Sequence, residues 1–414
     1  MTHLRNLTLA GLFLWALSAV AVAATTYRLE DLLRLAQDGN RVLAAGGEAV
    51  AAARAGIDTA GALPNPELEF LTGSQRPRTG VGGDGTARSA WFSQRIEYPS
   101  QRQARVGAAT AGVEAAVADW TGLRTDVVAG IRLRFYDLLR RQAEQAAAQE
   151  DLALMEDIRS RVEVKVHTGE AARYELIKAD AEMLNARKAA QSAKLRVAQA
   201  QAVLRQAVGA PLASQFEIDG RLDRPVALPT LETLRTDLVM RNPELQRLRA
   251  LRSQAERQLD YERTLRLPAV SLKGGREEDR DMRAHHVGVV VTVPLFDRRR
   301  GPVDAAGAQL ARARHDLEGR EFALLQALEA AFRQYEVAAT QVATLETAIV
   351  QQAAAALRVA EAAYRYGERG ILDYLDAQRV FRAARGDLIA ARHELQLAAI
   401  EIDRLRAAGE PSNP

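Results

Sequence analysis

Between Tyr364 and Gln378 the chain reads YRYGERGILDYLDAQ, which sets Arg369, Asp373 and Asp376 within two turns of the glycines Gly367 and Gly370. Asp373 and Asp376 are three residues apart and so share one helix face. Paired carboxylates in such a place are suited to attracting cations. They also complement the macrodipole at a helix N-terminus, so the residues alone leave capping and cation capture both open. An earlier stretch, VHTGEAARYELIKAD, has the same plan: Glu175 follows Gly169 at the offset by which Asp373 follows Gly367, and Lys178 answers Asp376. Glycine at such bends enters positive φ without strain, which predicts tight reversals at Gly169, Gly367 and Gly370.

The rest of the chain offers little reactive chemistry. It contains no cysteine and six histidines, which argues against a thiolate or His-cluster metal site, and it carries neither a G-x-x-x-x-G-K-[ST] loop nor an H-E-x-x-H motif. The expectation is a protein that is not an enzyme and holds no cofactor or metal. His285 and His286 fall in a strand pattern and read as wall residues. Formal charge is +3, with Lys+Arg 56 against Asp+Glu 53. The two signs are interleaved, which describes solvated helix surfaces and not a nucleic-acid footprint. The chain starts MTHLRNLTLAGLFLWALSAVAVAATT, an export signal with cleavage expected after Ala23. No later stretch is apolar for long enough to make a membrane helix, so membrane residence requires strands.

The elements that must position the two bends are written twice. Asn40 answers Asn242, Leu63-Pro64 answers Leu267-Pro268, Pro99 answers Pro294, Phe135 answers Phe332 and Gly169-Glu170 answers Gly367-Glu368. Each repeat, 24–215 and 231–409, reads as leading helix (28–62 and 231–266), β-hairpin (66–98 and 268–293), long helix (100–166 and 302–366) and return helix (170–208 and 370–407). An irregular linker, 216–230, joins the repeats, and 410–414 is a tail. Each long helix spans about 100 Å, and a return plus a leading helix stacked end to end spans roughly 110 Å. The geometry is that of matched staves. Rows at seven-residue spacing predict coiled-coil seams: Val106, Val113, Trp120 and Val127 with Val117, Ile131 and Leu138, then Leu310, Leu317, Leu324 and Leu345 with Leu328, Tyr335, Val342 and Ile349. The hairpin strands alternate apolar and polar residues, as a barrel wall or a soluble sandwich edge would. Four strands cannot close a membrane barrel, whereas three copies supply about twelve. A barrel therefore implies a trimer.

LPNPELEF (Leu63 to Phe70), VTVPLFDRRRG (Val291 to Gly301) and YGERGILDYLDAQ (Tyr366 to Gln378) resemble the TolC family of outer membrane efflux channels, over nearly all of the chain beyond the signal. LPNPELEF and FSQRIEYPSQRQAR resemble the cobalt, zinc and cadmium efflux branch in particular. The resemblance implies a mainly α fold with a small β part: a homotrimer sharing a 12-stranded outer-membrane barrel and a helical tunnel in the periplasm. It implies a passive exit duct for metal cations or small toxic compounds, docked on a periplasmic adaptor and an inner-membrane pump of the RND type. It places a periplasmic aperture at Asp373 and Asp376 and a lock at Arg369 and Glu175, with Tyr364 and Tyr174 packed nearby. An exit channel for secreted polypeptides shares this architecture. A periplasmic adaptor or scaffold would explain the helices but not the paired hairpins.

Overall fold

The computed structural model describes residues 25–76, 83–213 and 216–407. The expected export signal and the 410–414 tail lie outside them. A short strand β1 (Thr25–Arg28) precedes α1 (Leu29–Gly39), α2 (Arg41–Gly61), β2 (Glu67–Gln75), β3 (Gly85–Ile96), α3 (Pro99–His167) and α4 (Arg173–Val208). After β4 (Phe216–Asp219) come α5 (Leu231–Arg241), α6 (Pro243–Thr264), β5 (Ala269–Glu278), β6 (Arg283–Thr292), α7 (Arg300–Thr344), a π-helical turn (Leu345–Ile349), α8 (Val350–Arg365) and α9 (Ile371–Leu405). None of the described helices is long and apolar enough to cross a membrane.

The four hairpin strands form one antiparallel sheet in the order β2-β3-β5-β6. Register places Leu68, Phe92, Gly274 and Val287 in one row, and Ile96, Val270 and Val291 in another. Cross-strand partners share a face, so the apolar side chains gather on one side while Glu67, Glu69, Trp91, Lys273 and His286 gather on the other. Trp91 stacks on His286 (5.6 Å between centroids), and its ring fills the space over Gly275, where a Cβ would clash. The apolar face is bare in the single chain, with Phe70 at 75% and Val287 at 86% exposure.

The helices repeat the order of the strands they continue. α2 packs on α3, α3 on α6, and α6 on α7; below them α4, α3, α9 and α8 follow in turn. Strand and stave thus make one curved layer with two open edges, β2/α2/α4 on one side and β6/α7/α8 on the other.

Four sequence expectations need correction. Both leading helices break, at Asn40 and Asn242. Asn40 Oδ1 accepts from the backbone N–H of Val42 (2.8 Å), starting α2, while its Nδ2 donates to the carbonyl of Val208 (3.0 Å), the last residue of α4. Asn242 does the same for α6 and α9, accepting from Glu244 N–H (3.0 Å) and donating to the Leu405 carbonyl (2.8 Å). One buried side chain therefore splices a leading helix to the return helix below it, serving an orphan donor and an orphan acceptor together.

Second, the linker is not wholly irregular, because β4 pairs in parallel with β1 (Tyr27 opposite Ile218), and Phe216 is buried against Phe135, Leu139 and Leu204. Third, the valine row of α3 is not its tightest seam. Val106, Val113 and Val127 are half-buried and Val117 is exposed, whereas Ala104, Ala108, Ala111, Ala115 and Ala118 are buried. α3 has helices on several sides, and only alanine lets backbones approach that closely. Leu310, Leu317, Leu324 and Leu328 of α7 are buried as the spacing predicts. Fourth, the second long helix is interrupted by the π turn. Repeat spacing is one residue longer below it (Gly169 to Gly367) than above it (Phe135 to Phe332), so the turn absorbs a single extra residue.

Candidate functional site

The two bends lie side by side at the far end from the sheet. Each is closed by the same backbone pattern: Glu170 N–H donates to the Lys165 carbonyl (2.8 Å) and Glu368 N–H to the Ala363 carbonyl (2.9 Å). Gly169 (φ 81°) and Gly367 (φ 78°) take the left-handed conformation that this reversal requires. Gly370 does not: at φ −75° it is extended, as is Ala172 at the equivalent position, so its backbone needs no glycine.

Beneath the turns, Met155, Ile158 and Val162 of α3, Ala179 and Met183 of α4, and Tyr364, Ile371, Tyr374 and Leu375 of the second hairpin form one buried cluster. Tyr364 stacks on Tyr374 (6.0 Å between centroids, 26°), and the Lys165 ammonium sits 4.4 Å from the centre of the Tyr364 ring. The Tyr364 hydroxyl is buried without a hydrogen-bond partner. Burial, and then the nearby charge of Glu175, raise its pKa; burial pushes Tyr374 up to about 12. Both phenols stay protonated in any physiological medium.

The predicted residues are thus only partly assembled within one chain. Tyr364 and Glu175 are brought into electrostatic contact. Arg369, in the turn, instead meets Asp373 in the first turn of α9, at 3.4 Å and well exposed. Tyr174 points outward at 62% exposure, and the aromatic packed on Tyr364 is Tyr374. In the sequence Tyr374 belongs to the apolar stripe Ile371, Tyr374, Leu375, which is the signal for its burial. Asp373 and Asp376 are both exposed, on the side of α9 away from the cluster. No cluster of three or more metal-ligating side chains occurs among the described residues.

Above the tip, several polar and ionic contacts cross the seam between the hairpins. Gln378 and Arg382 reach Asp151, Arg385 reaches Glu150, Arg379 reaches Glu182, and Arg132 meets Asp403 at 2.9 Å. Burial raises the Asp151 pKa against the pull of Arg382. His393 is also in this seam, 5% exposed, with neither ring nitrogen hydrogen-bonded. Burial, and then Arg140, hold its pKa below the usual value. Within the first hairpin, Ala179, Ala186, Ala190, Ala193 and Ala200 of α4 are buried along α3, beside the ion pairs Arg159–Asp180 (2.7 Å) and Arg187–Glu156 (3.1 Å).

A family model described as outer membrane efflux protein matches residues 32–210 and 234–408, both repeats and most of the chain. The chain belongs to the outer membrane efflux protein family. It is 28% identical over 392 residues to the cobalt-zinc-cadmium resistance protein CzcC of Cupriavidus metallidurans, covering 92% of this chain and 90% of that protein. Among solved structures it resembles CusC (TM-score 0.81, 17% identity, 93% of each chain). It also resembles VceC of Vibrio cholerae (TM-score 0.76, 17% identity, 92% of this chain and 96% of that one). The protein is accordingly an outer membrane efflux channel whose sheet lies in the outer membrane and whose staves extend into the periplasm.

Proposed function

We propose that three copies close into a passive duct that releases metal cations delivered by an inner-membrane RND pump through a periplasmic adaptor. The observation that carries this reading is the coincidence of strand order and stave order in a layer with two unlike open edges. A head-to-tail contact between unlike edges generates a ring when the rotation closes. Closure removes the unpaired edges of β2 and β6, which hydrocarbon does not tolerate. It also covers Ile177, Leu184 and Leu195 on the α4 edge and Phe322, Val337 and Val359 on the α7/α8 edge, all exposed in one chain. Likeness to CzcC supports metal cations as the cargo.

In the closed ring the exposed Asp373 and Asp376 form two rings of carboxylates at the periplasmic mouth. Arg369, at the α8–α9 turn, faces the α4 edge of the next copy, where Glu175 stands. The lock is then a contact between copies, and each exposed pair contributes only about 0–1 kcal/mol, within reach of adaptor binding. The duct does no catalysis of its own.

The test is single-channel recording of the purified protein in planar bilayers. Arg369→Ser is expected to raise conductance severalfold. Asp373→Ala combined with Asp376→Ala is expected to relieve block by divalent and trivalent cations applied from the periplasmic side. Unchanged conductance and block in both variants would remove the aperture from this bend, and a monodisperse water-soluble monomer would remove the duct.

A further inference from the structure

The junction from β6 to α7 contains Leu295 and Phe296 followed by three arginines, and neither the repeat nor the aperture accounts for it. Phe296 is 99% exposed, more than any other large apolar side chain among the described residues, and Leu295 is 64% exposed. They follow directly on the bare apolar row of Val287, Val289 and Val291 of β6 and the next residue in that row, Val293, where the chain turns with Leu295 N–H donating to the Val293 carbonyl (2.9 Å).

The backbone here is held firmly. Asp297 Oδ1 accepts from Arg299 N–H (2.8 Å), and the Arg299 guanidinium turns inward to Glu262 (2.6 Å). The Arg298 carbonyl accepts from Arg266 Nε (3.1 Å). Arg298 and Arg300 are left exposed, with no ion pair to a carboxylate among the described residues. The first repeat treats its arginines differently at the same depth. Arg102 donates to the Gly61 carbonyl (2.9 Å), and Arg105 donates to the Ala60 carbonyl (2.6 Å) and pairs with Glu97 (2.8 Å). The second repeat alone presents an aromatic wedge and, two to four residues on, two uncommitted cations.

We propose that Leu295 and Phe296 seat in the periplasmic leaflet of the outer membrane, with Arg298 and Arg300 binding the phosphodiesters of anionic phospholipids. Continuity with the lipid-facing side of the sheet places the wedge at the apolar boundary. Charge complementarity selects the phosphate layer for the guanidiniums, whose fork suits phosphate oxygens. Interfacial aromatics with adjacent basic residues fix the depth of a membrane protein. The inference rests on outer-membrane placement and not on the cargo of the duct.

Two measurements on the full-length protein in lipid nanodiscs decide it. Phe296→Trp, with wild-type emission subtracted, is expected to be quenched more strongly by phosphatidylcholine brominated near the headgroup than by lipid brominated near the acyl terminus. Absence of quenching by either lipid would mean that a neighbouring copy covers Phe296, and would overturn the wedge. Native mass spectrometry is expected to show phosphatidylglycerol retention falling about fivefold for each arginine removed in Arg298→Ala and Arg300→Ala. Arg312→Ala, an exposed arginine elsewhere on α7, is expected to retain lipid as wild type does. Equal retention by wild type and the Arg298→Ala, Arg300→Ala double variant would overturn the headgroup site, even if the tryptophan variant fails to fold.

Discussion

The tip and the waist, where the leading helices are spliced to the return helices, differ in how faithfully the duplication has been kept. At the waist, Asn40 and Asn242 make the same hydrogen bonds to equivalent partners, cap and splice alike. At the tip the backbone turns are equally alike, but the side chains on them have diverged: Arg369 answers Ala171, Asp373 answers Glu175, and Asp376 answers Lys178. Positions that satisfy buried backbone groups tolerate no alternative. Arg369, Asp373 and Asp376 are exposed and satisfy no buried backbone group, so the fold leaves their chemistry open.

The sharpest way to break the comparison is at the waist. Asn40→Ala removes an N-cap, about 1 kcal/mol, and strands a buried carbonyl at about 1–3 kcal/mol. Asn242→Ala is expected to cost the same, and the pair to cost roughly the sum, since the sites share no partner. Urea unfolding in detergent measures this. Unequal losses would show that the splices are not equivalent.

A smaller effect is expected at the turns. Gly367→Ala forces a side chain into the left-handed region at about 1–2 kcal/mol, whereas Gly370→Ala, extended like Ala172, is expected to be neutral within about 0.5 kcal/mol. Thermal melts of the two variants separate a glycine needed by the backbone from one that is not.

The smallest effect lies in the polar seam between tip and waist. The folded chain holds His393 below its unfolded pKa, so its neutral form contributes stability that is complete above about pH 6.5 and is lost as pH falls below it. Arg140, Asp137, Arg141 and Glu144 of α3 are the charged groups that face it. His393→Leu is expected to flatten the dependence of melting temperature on pH between about 7 and 5. An unchanged slope would locate the acid sensitivity elsewhere.

Much of this architecture is legible in the sequence. The repeat, the long staves, the hairpins and the turns at Gly169 and Gly367 follow from periodicity and from glycine placement. The breaks at Asn40 and Asn242 were signalled by an asparagine before a helical run, and at Asn242 by Pro243 in the first turn. The apolar period runs through both breaks, however, and hid them. β4 was invisible because its partner strand lies far back in the chain and each is only four residues long. The valine row misled because heptad arithmetic assumes one partner, while α3 has several. The partnership of Tyr364 with Tyr374 depends on how two hairpins lean together, which no local pattern encodes.

The π turn at Leu345–Ile349 has a consequence for the tunnel's far rim. By taking up the surplus residue as a bulge, it adds no rise, so both hairpins reach the same depth despite unequal residue counts. Acidic side chains from the two copies of the unit, Glu175 and Asp373, can therefore lie at one level. A partner approaching from the inner membrane would meet a flush edge instead of a stepped one.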